Sequence, residues 1–215
     1  MKVMKRGLGF TLIEILVTVG IIGILFAILL PVFLSVKENA KAAKCGSNLK
    51  QIGGAFQMYQ QDYDGIFPYG IDPADRFQPG IWNEFPDWKD QIASMPDLHQ
   101  ALFPYTKSMG IWECPSDAGF TYLDINNNLP LDGKPTSFRK FGTSYLYRTE
   151  LTFRRLRQEM LTSPPRINVL GDAAGKWHGR SVDEDKLRYN VLYADWHVKT
   201  ASRSQYLDAW SQRLP

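Results

Sequence analysis

The chain has 215 residues, 44% of them hydrophobic, with 25 lysines and arginines against 22 acids. Lys2, Lys5 and Arg6 carry the whole of the net charge of +3, and the other 22 basic residues balance the 22 acids. That balance argues against nucleic-acid binding, which requires a clustered basic face, and the length leaves room for a single soluble domain beside one apolar segment.

Residues 1–9 form a short leader whose only charges are those three cations. The stretch from Ile15 to Val36 then runs 22 residues without a charge, and a helix of that length crosses the hydrocarbon core of a bilayer. Cationic residues ahead of such a segment keep that end in the cytoplasm. Glu14 stands at the head of the apolar region, where an acid costs about 2.5–3.5 kcal/mol at a helix centre and less near an end. Two readings of it are open: a carboxylate that snorkels to the interface, or one that pairs with an amine freed by a cut after Gly9.

Gly9-Phe10-Thr11-Leu12-Ile13-Glu14 followed by an apolar helix resembles the class III signal of type IV pilins and type II secretion pseudopilins. The resemblance implies cleavage between Gly9 and Phe10 by a prepilin peptidase and N-methylation of Phe10. It makes Glu14 the glutamate that sets register during assembly, and Pro31 the helix-kinking proline. It further implies a structural subunit and no enzyme, held in the bacterial inner membrane by a single pass with its globular domain in the periplasm. The partners implied are copies of the chain, other pilins, the prepilin peptidase and an inner-membrane assembly platform. No cofactor is implied.

Beyond Val36, Cys45, Leu49, Ile52, Phe56, Tyr59 and Tyr63 recur at helical spacing and form one apolar stripe. Gly53 and Gly54 within it point to close approach by another backbone, and Gly65 with Pro68 ends the helix. The segment from Cys45 to Gly65, Cys114-Pro115-Ser116-Asp117 and Asn190 to Asp195 resemble a narrower group of pilin-like proteins with an H-X9-DG C-terminal region. Two departures stand against that group. Trp196 follows Asp195 where glycine would supply a positive φ, so a different turn is expected. Ten positions before Asp195 stands Asp185; the nearest upstream histidine is His178. For Cys45 and Cys114, a disulfide formed in an oxidising compartment and two buried thiols are both open.

Prolines 73, 79, 86 and 96 make residues 72–97 read as a loop, with Trp82, Phe85 and Trp88 interspersed. The tryptophans either cover an edge of the core or, with Trp112, contact a glycan or secreted cargo. Leu98 to Met109 reads as one short helix. Asp124, Asn126, Asn128 and Asp132 place oxygens at alternating positions like a calcium loop, but Leu129 and Pro135 exclude an EF-hand. A looser calcium site and an asparagine-rich turn remain. Phe141–Leu151, Arg166–Asp172 and Arg188–Asp195 read as strands, the last two sharing an Arg-X-Asn-Val-Leu core that suits antiparallel neighbours. Asp172, His178, Asp195 and His197 have the residue types of a metal or hydrolytic site, without a supporting motif. The fold expected is α+β, a pilin-like lollipop: leader 1–9, membrane or filament-core helix 10–36, amphipathic continuation 37–65, and a globular domain 66–215 with an antiparallel sheet.

Overall fold

The computed structural model describes residues 11–125, 129–179 and 183–215. Helix α1 spans Leu12–Asp62. The chain divides into two compact units, Met1–Ala40 and Lys41–Pro215, and α1 contributes to both.

In the first unit α1 continues through Pro31, which has no N–H to offer the carbonyl of Ala27. Its apolar side chains are exposed throughout, from Leu12 to Val36. In the second unit the same helix buries Cys45, Leu49, Ile52, Phe56 and Tyr59, along with Asn48, Ala55 and Gln60. Tyr63, expected on the stripe, is 52% exposed. It lies past the helix end and stacks on Tyr59 with centroids 4.2 Å apart. Gly65 takes φ 77° and its N–H reaches the Gln60 carbonyl at 2.7 Å, ending the helix.

The punctuated stretch after it is not a loop. It holds α2 (Pro73–Phe77), a 3-10 turn over Pro79–Trp82 and α3 (Pro86–Ile92). Each begins at a proline, because its fixed φ suits the first helical turn and its missing N–H would be unpaired there anyway. Residues 98–109 likewise split into α4 (Leu98–Ala101) and α5 (Phe103–Thr106), with Pro104 restarting the helix. A minimal hairpin, β1 (Tyr122–Leu123) and β2 (Leu129–Pro130), follows.

The expected strand from Phe141 to Leu151 is trimmed to β3 (Tyr145–Tyr147) between α6 (Ser137–Phe141) and α7 (Glu150–Phe153). It opens a four-stranded antiparallel meander with β4 (Asn168–Asp172), β5 (Arg188–Tyr193) and β6 (Val198–Ser202), in the order β3-β4-β5-β6. The two Arg-X-Asn-Val-Leu segments are neighbours in it, with Leu170 opposite Leu192. Between them lies α8 (Lys176–Gly179).

Both faces of the sheet are covered, so its central strands are buried along their length. Leu192 meets Gly53 of α1, and Ala194 and Trp196 share its core with Phe56. Tyr189, Val191 and Tyr193 point the other way, against Tyr206 and Ala209 of α9 (Arg203–Ser211). A Cβ on Gly171 would collide with the Tyr206 hydroxyl, so glycine is required there. Helix α9 begins at a reciprocal cap: Ser202 accepts from the Gln205 N–H, and the Gln205 side chain accepts from the Ser202 N–H.

The β5–β6 turn corrects the sequence reading. The Trp196 N–H bonds the Tyr193 carbonyl at 2.8 Å, and the Tyr193 N–H bonds the His197 carbonyl at 3.0 Å. This is a three-residue hairpin loop with Trp196 itself in the left-handed position, at φ 69°. Such a φ costs about 1–2 kcal/mol for a side-chain-bearing residue. Removing a buried indole costs about 3–5 kcal/mol. The ring is 8% exposed, 5.8 Å from Phe56, and its Nε1 donates to Gln158. Burial outweighs the strain.

Candidate functional site: the N-terminal helix and its latch

Gly9 and Phe10 lie outside the described residues. Immediately after them, Thr11 and Glu14 form a reciprocal cap. The Thr11 N–H and hydroxyl both donate to Glu14 Oε2 at 2.8 Å, and the Glu14 N–H donates to Thr11 Oγ1 at 3.3 Å. Thr-X-X-Glu is the capping-box spacing, and it satisfies N–H groups that the helix start leaves unpaired. The sequence reading missed this role, although the spacing was there to find. Glu14 therefore has a partner within its own chain. From here to Val36 the helix offers side chains such as Ile13, Leu16, Phe26 and Phe33, each 63–68% exposed.

At the other end of α1, a second constellation fixes the helix into the domain. Cys45 and Cys114 are joined by a disulfide with Cα atoms 4.9 Å apart, closing a loop of 69 residues that adds on the order of 4 kcal/mol in the chain-entropy view. One turn along, Asn48 Nδ2 donates to the Glu113 carbonyl at 2.8 Å, and Lys50 Nζ donates to the Trp196 carbonyl at 2.7 Å. The Cys114-Pro-Ser-Asp117 segment ends in a hub. Asp117 accepts from the N–H groups of Gly119, Ser137 and Phe138 and from the Ser144 hydroxyl, all within 3.0 Å. Residues that read as a family signature thus serve to hold one helix face against the sheet.

The four residues weighed as a hydrolytic or metal site form two separate pairs. His178 Nε2 is 3.1 Å from Asp172 Oδ2, 3.2 Å from Asn190 Nδ2 and 3.5 Å from Cys114 Sγ. Asp172 also accepts from the Asn190 N–H at 2.6 Å. Asp195 pairs with His197 in the β5–β6 turn, where both side chains are more than a third exposed or nearly so. The one metal-type cluster among the described residues is Cys45, Cys114 and His178, and its two sulfurs are spent in the disulfide. Asn126 and Asn128 lie outside the described residues. Asp124 accepts from the Gly175 N–H and the Tyr189 hydroxyl, and Asp132 from the Lys134 N–H and Lys140. Burial pushes the Asp124 carboxyl above its usual range.

The aromatic segment packs largely on itself. Trp88 is sandwiched, with Phe85 stacked on it at 4.5 Å and Phe153 at 5.2 Å. Trp112 is fully buried in the core, so it cannot touch a glycan or cargo, contrary to that expectation. Beside this cluster, Asp72 and Asp75 are buried. Asp72 accepts from the N–H groups of Asp75 and Tyr147, and Asp75 from Trp82 Nε1, at 2.6 Å, and the Thr149 hydroxyl. Burial raises both carboxyls, and their mutual repulsion adds to the effect on Asp72.

An exposed apolar N-terminal helix with a capped acid, continued into a helix latched on an antiparallel sheet, defines a type IV pilin-like protein with a prepilin signal. Residues 4–30 match the model described as the prokaryotic N-terminal methylation motif. The chain belongs to the family described as protein of unknown function (DUF1559), whose model matches residues 34–160. It is similar to the type II secretion system core protein G of Pseudomonas aeruginosa, with 36% identity over 35% of this chain and 58% of that protein. The core protein G of Vibrio cholerae is 37% identical over 32% of this chain and 46% of its own length. The type IV major pilin protein PilA of Myxococcus xanthus is 39% identical over 27% of each chain. The chain spans less than two thirds of the length of each of these relatives. No solved structure matches it significantly. The apolar helix and the motif together fit a protein anchored in the inner membrane.

Proposed function

We propose that the protein is a structural subunit of a type IV pilus or a type II secretion-like filament, with no catalytic step of its own. The observation that carries this is the unburied apolar surface of α1 from Leu12 to Val36, which water does not tolerate and which lipid or a bundle of like helices can cover. The subunit waits in the inner membrane, leader in the cytoplasm and domain in the periplasm. The disulfide is the kind of bond such a compartment sustains. A prepilin peptidase cuts between Gly9 and Phe10, and the assembly platform moves α1 from lipid into the filament core among copies of the chain and other pilins. Neither a metal nor a cofactor takes part.

In this reading Glu14 has two tasks: it caps its own helix through Thr11, and it pairs in the filament with a neighbour's Phe10 amine. Buried charges that fix register are a recognised use of such groups. The two tasks separate by substitution, because Gln caps at this position as Glu does but carries no charge. With the assembly machinery present, Glu14→Ala and Glu14→Gln should both be inserted and cleaved, yet both should be depleted from sheared filament fractions by about ten-fold or more, the loss of roughly 1.4 kcal/mol per subunit. Normal incorporation of Glu14→Gln alone assigns the residue to capping. If the wild-type chain never enters a filament, the structural reading is wrong.

A further inference from the structure

A cavity of about 490 Å³ opens in the second unit, with Asp72, Asp75, Trp82, Phe85, Glu150 and Trp210 among its lining. That size is typical of small-molecule sites. Three features of the lining bear on what it could hold. Among the described residues it includes three carboxyl groups and no lysine or arginine. Glu150 is compensated by Arg148, which lies outside the lining, 2.9 Å from Glu150 and over the Trp210 ring. Among the described residues Asp72 and Asp75 have no such partner: the groups that donate to them are backbone N–H groups, an indole and a hydroxyl. Buried charge is ordinarily paired, and here two buried acids that are hydrogen-bonded but not charge-paired line a cavity with aromatic walls. Aromatic rings beside carboxylates favour organic cations, and least of all anions.

We propose that this cavity is a binding site for a small organic cation, a quaternary ammonium or protonated amine, held between the Trp82 and Phe85 rings and the Asp72–Asp75 pair. The site is independent of the filament reading and stands or falls separately from it.

Choline and its uncharged isostere 3,3-dimethylbutan-1-ol distinguish charge recognition from mere filling of an apolar hole. Both should be titrated into the full-length protein in dodecyl maltoside micelles, followed by calorimetry and tryptophan emission. Choline should bind saturably and about ten-fold or more tighter than the alcohol, as desolvated cation–π contact and an unpaired acid together imply. Phe85→Leu, at a rim position 44% exposed, should fold normally and weaken choline by about three-fold or more. Asp75→Asn should weaken choline and leave the alcohol unchanged. Equal affinity for the two probes, saturation by neither, or choline binding indifferent to Phe85→Leu in a folded protein would each overturn the assignment.

Discussion

Residues 12–40 and 41–62 belong to one helix, yet no residue of the first stretch is buried while the second hides nine side chains or backbones in a core. The first is apolar on every side from Ile15 to Val36 and the second on one stripe. A helix that is hydrophobic all round needs an environment, whereas a striped one needs only a partner. The second stretch has its partner in the same chain, secured by the Cys45–Cys114 bond and by hydrogen bonds from Asn48 and Lys50. The first must find its cover outside. Where the hydrophobic pattern changes from all-round to one-sided, the cover the helix needs changes from one supplied outside the chain to one supplied by its own domain.

Truncating one phenylalanine in each stretch should have opposite consequences. Phe56 is fully buried and Phe26 is 66% exposed. Phe56→Ala should lower the stability of the domain by about 3–5 kcal/mol, the usual effect of emptying a core aromatic site. Phe26→Ala should leave the domain's thermal midpoint unchanged in micelles, with near-UV circular dichroism as the probe. Comparable losses from both would mean that the two stretches are not energetically distinct.

How much of this was legible beforehand depended on whether the signal was local. The apolar run, the stripe and the two Arg-X-Asn-Val-Leu strands follow from periodicity, and β4 and β5 do pair as neighbours. The helices of residues 73–92 are not legible as helices, because proline marks both the start of a helix and its interruption, and only the fold decides which. Helix α9 and the Thr11–Glu14 cap are legible in their Ser-X-X-Gln and Thr-X-X-Glu spacings, although periodicity alone does not find them. The Trp196 turn was not readable: its positive φ is stabilised by Phe56, Phe67 and Gln158, residues far away in sequence. Nor could the sequence bring Asp72 and Asp75 together with Trp82 and Trp210 around one cavity, since that depends on tertiary packing over more than a hundred residues.

The comparison also has an electrostatic side, confined to the second unit. Burial raises the Asp72 and Asp75 carboxyls above the ordinary value of 3.8. The folded protein therefore holds a proton that the unfolded chain has already released. Stability from this pair is fully present below the unfolded value and is lost as pH rises through the raised one, about 1.4 kcal/mol for each unit of elevation. Asp75→Asn mimics the protonated acid and can still face Trp82 and the Thr149 hydroxyl. The wild-type thermal midpoint should fall between the acid range and neutrality, and the variant's should fall less. Parallel curves would show that the pair ionises freely in the fold.

The smallest effect sits where the buried stripe carries two adjacent glycines. A Cβ on Gly54 would meet nothing within 4 Å, whereas one on Gly53 would come within 3.0 Å of Leu192 Cδ1. What approaches the helix here is thus a side chain, at one glycine only, and not the backbone that the pair of glycines had led us to expect. Replacing a mid-helix glycine by alanine is worth up to about 1 kcal/mol through chain entropy. Gly54→Ala should gain most of that. Gly53→Ala starts from the same gain but forces Leu192 to yield in the layer between helix and sheet, where crowding typically costs about 1–3 kcal/mol. Denaturant midpoints should therefore rise for Gly54→Ala and stay level or fall for Gly53→Ala. An equal rise for both would show that the seam between α1 and β5 is loose enough to admit a methyl group, and that the latch holds this helix more by its disulfide than by its packing.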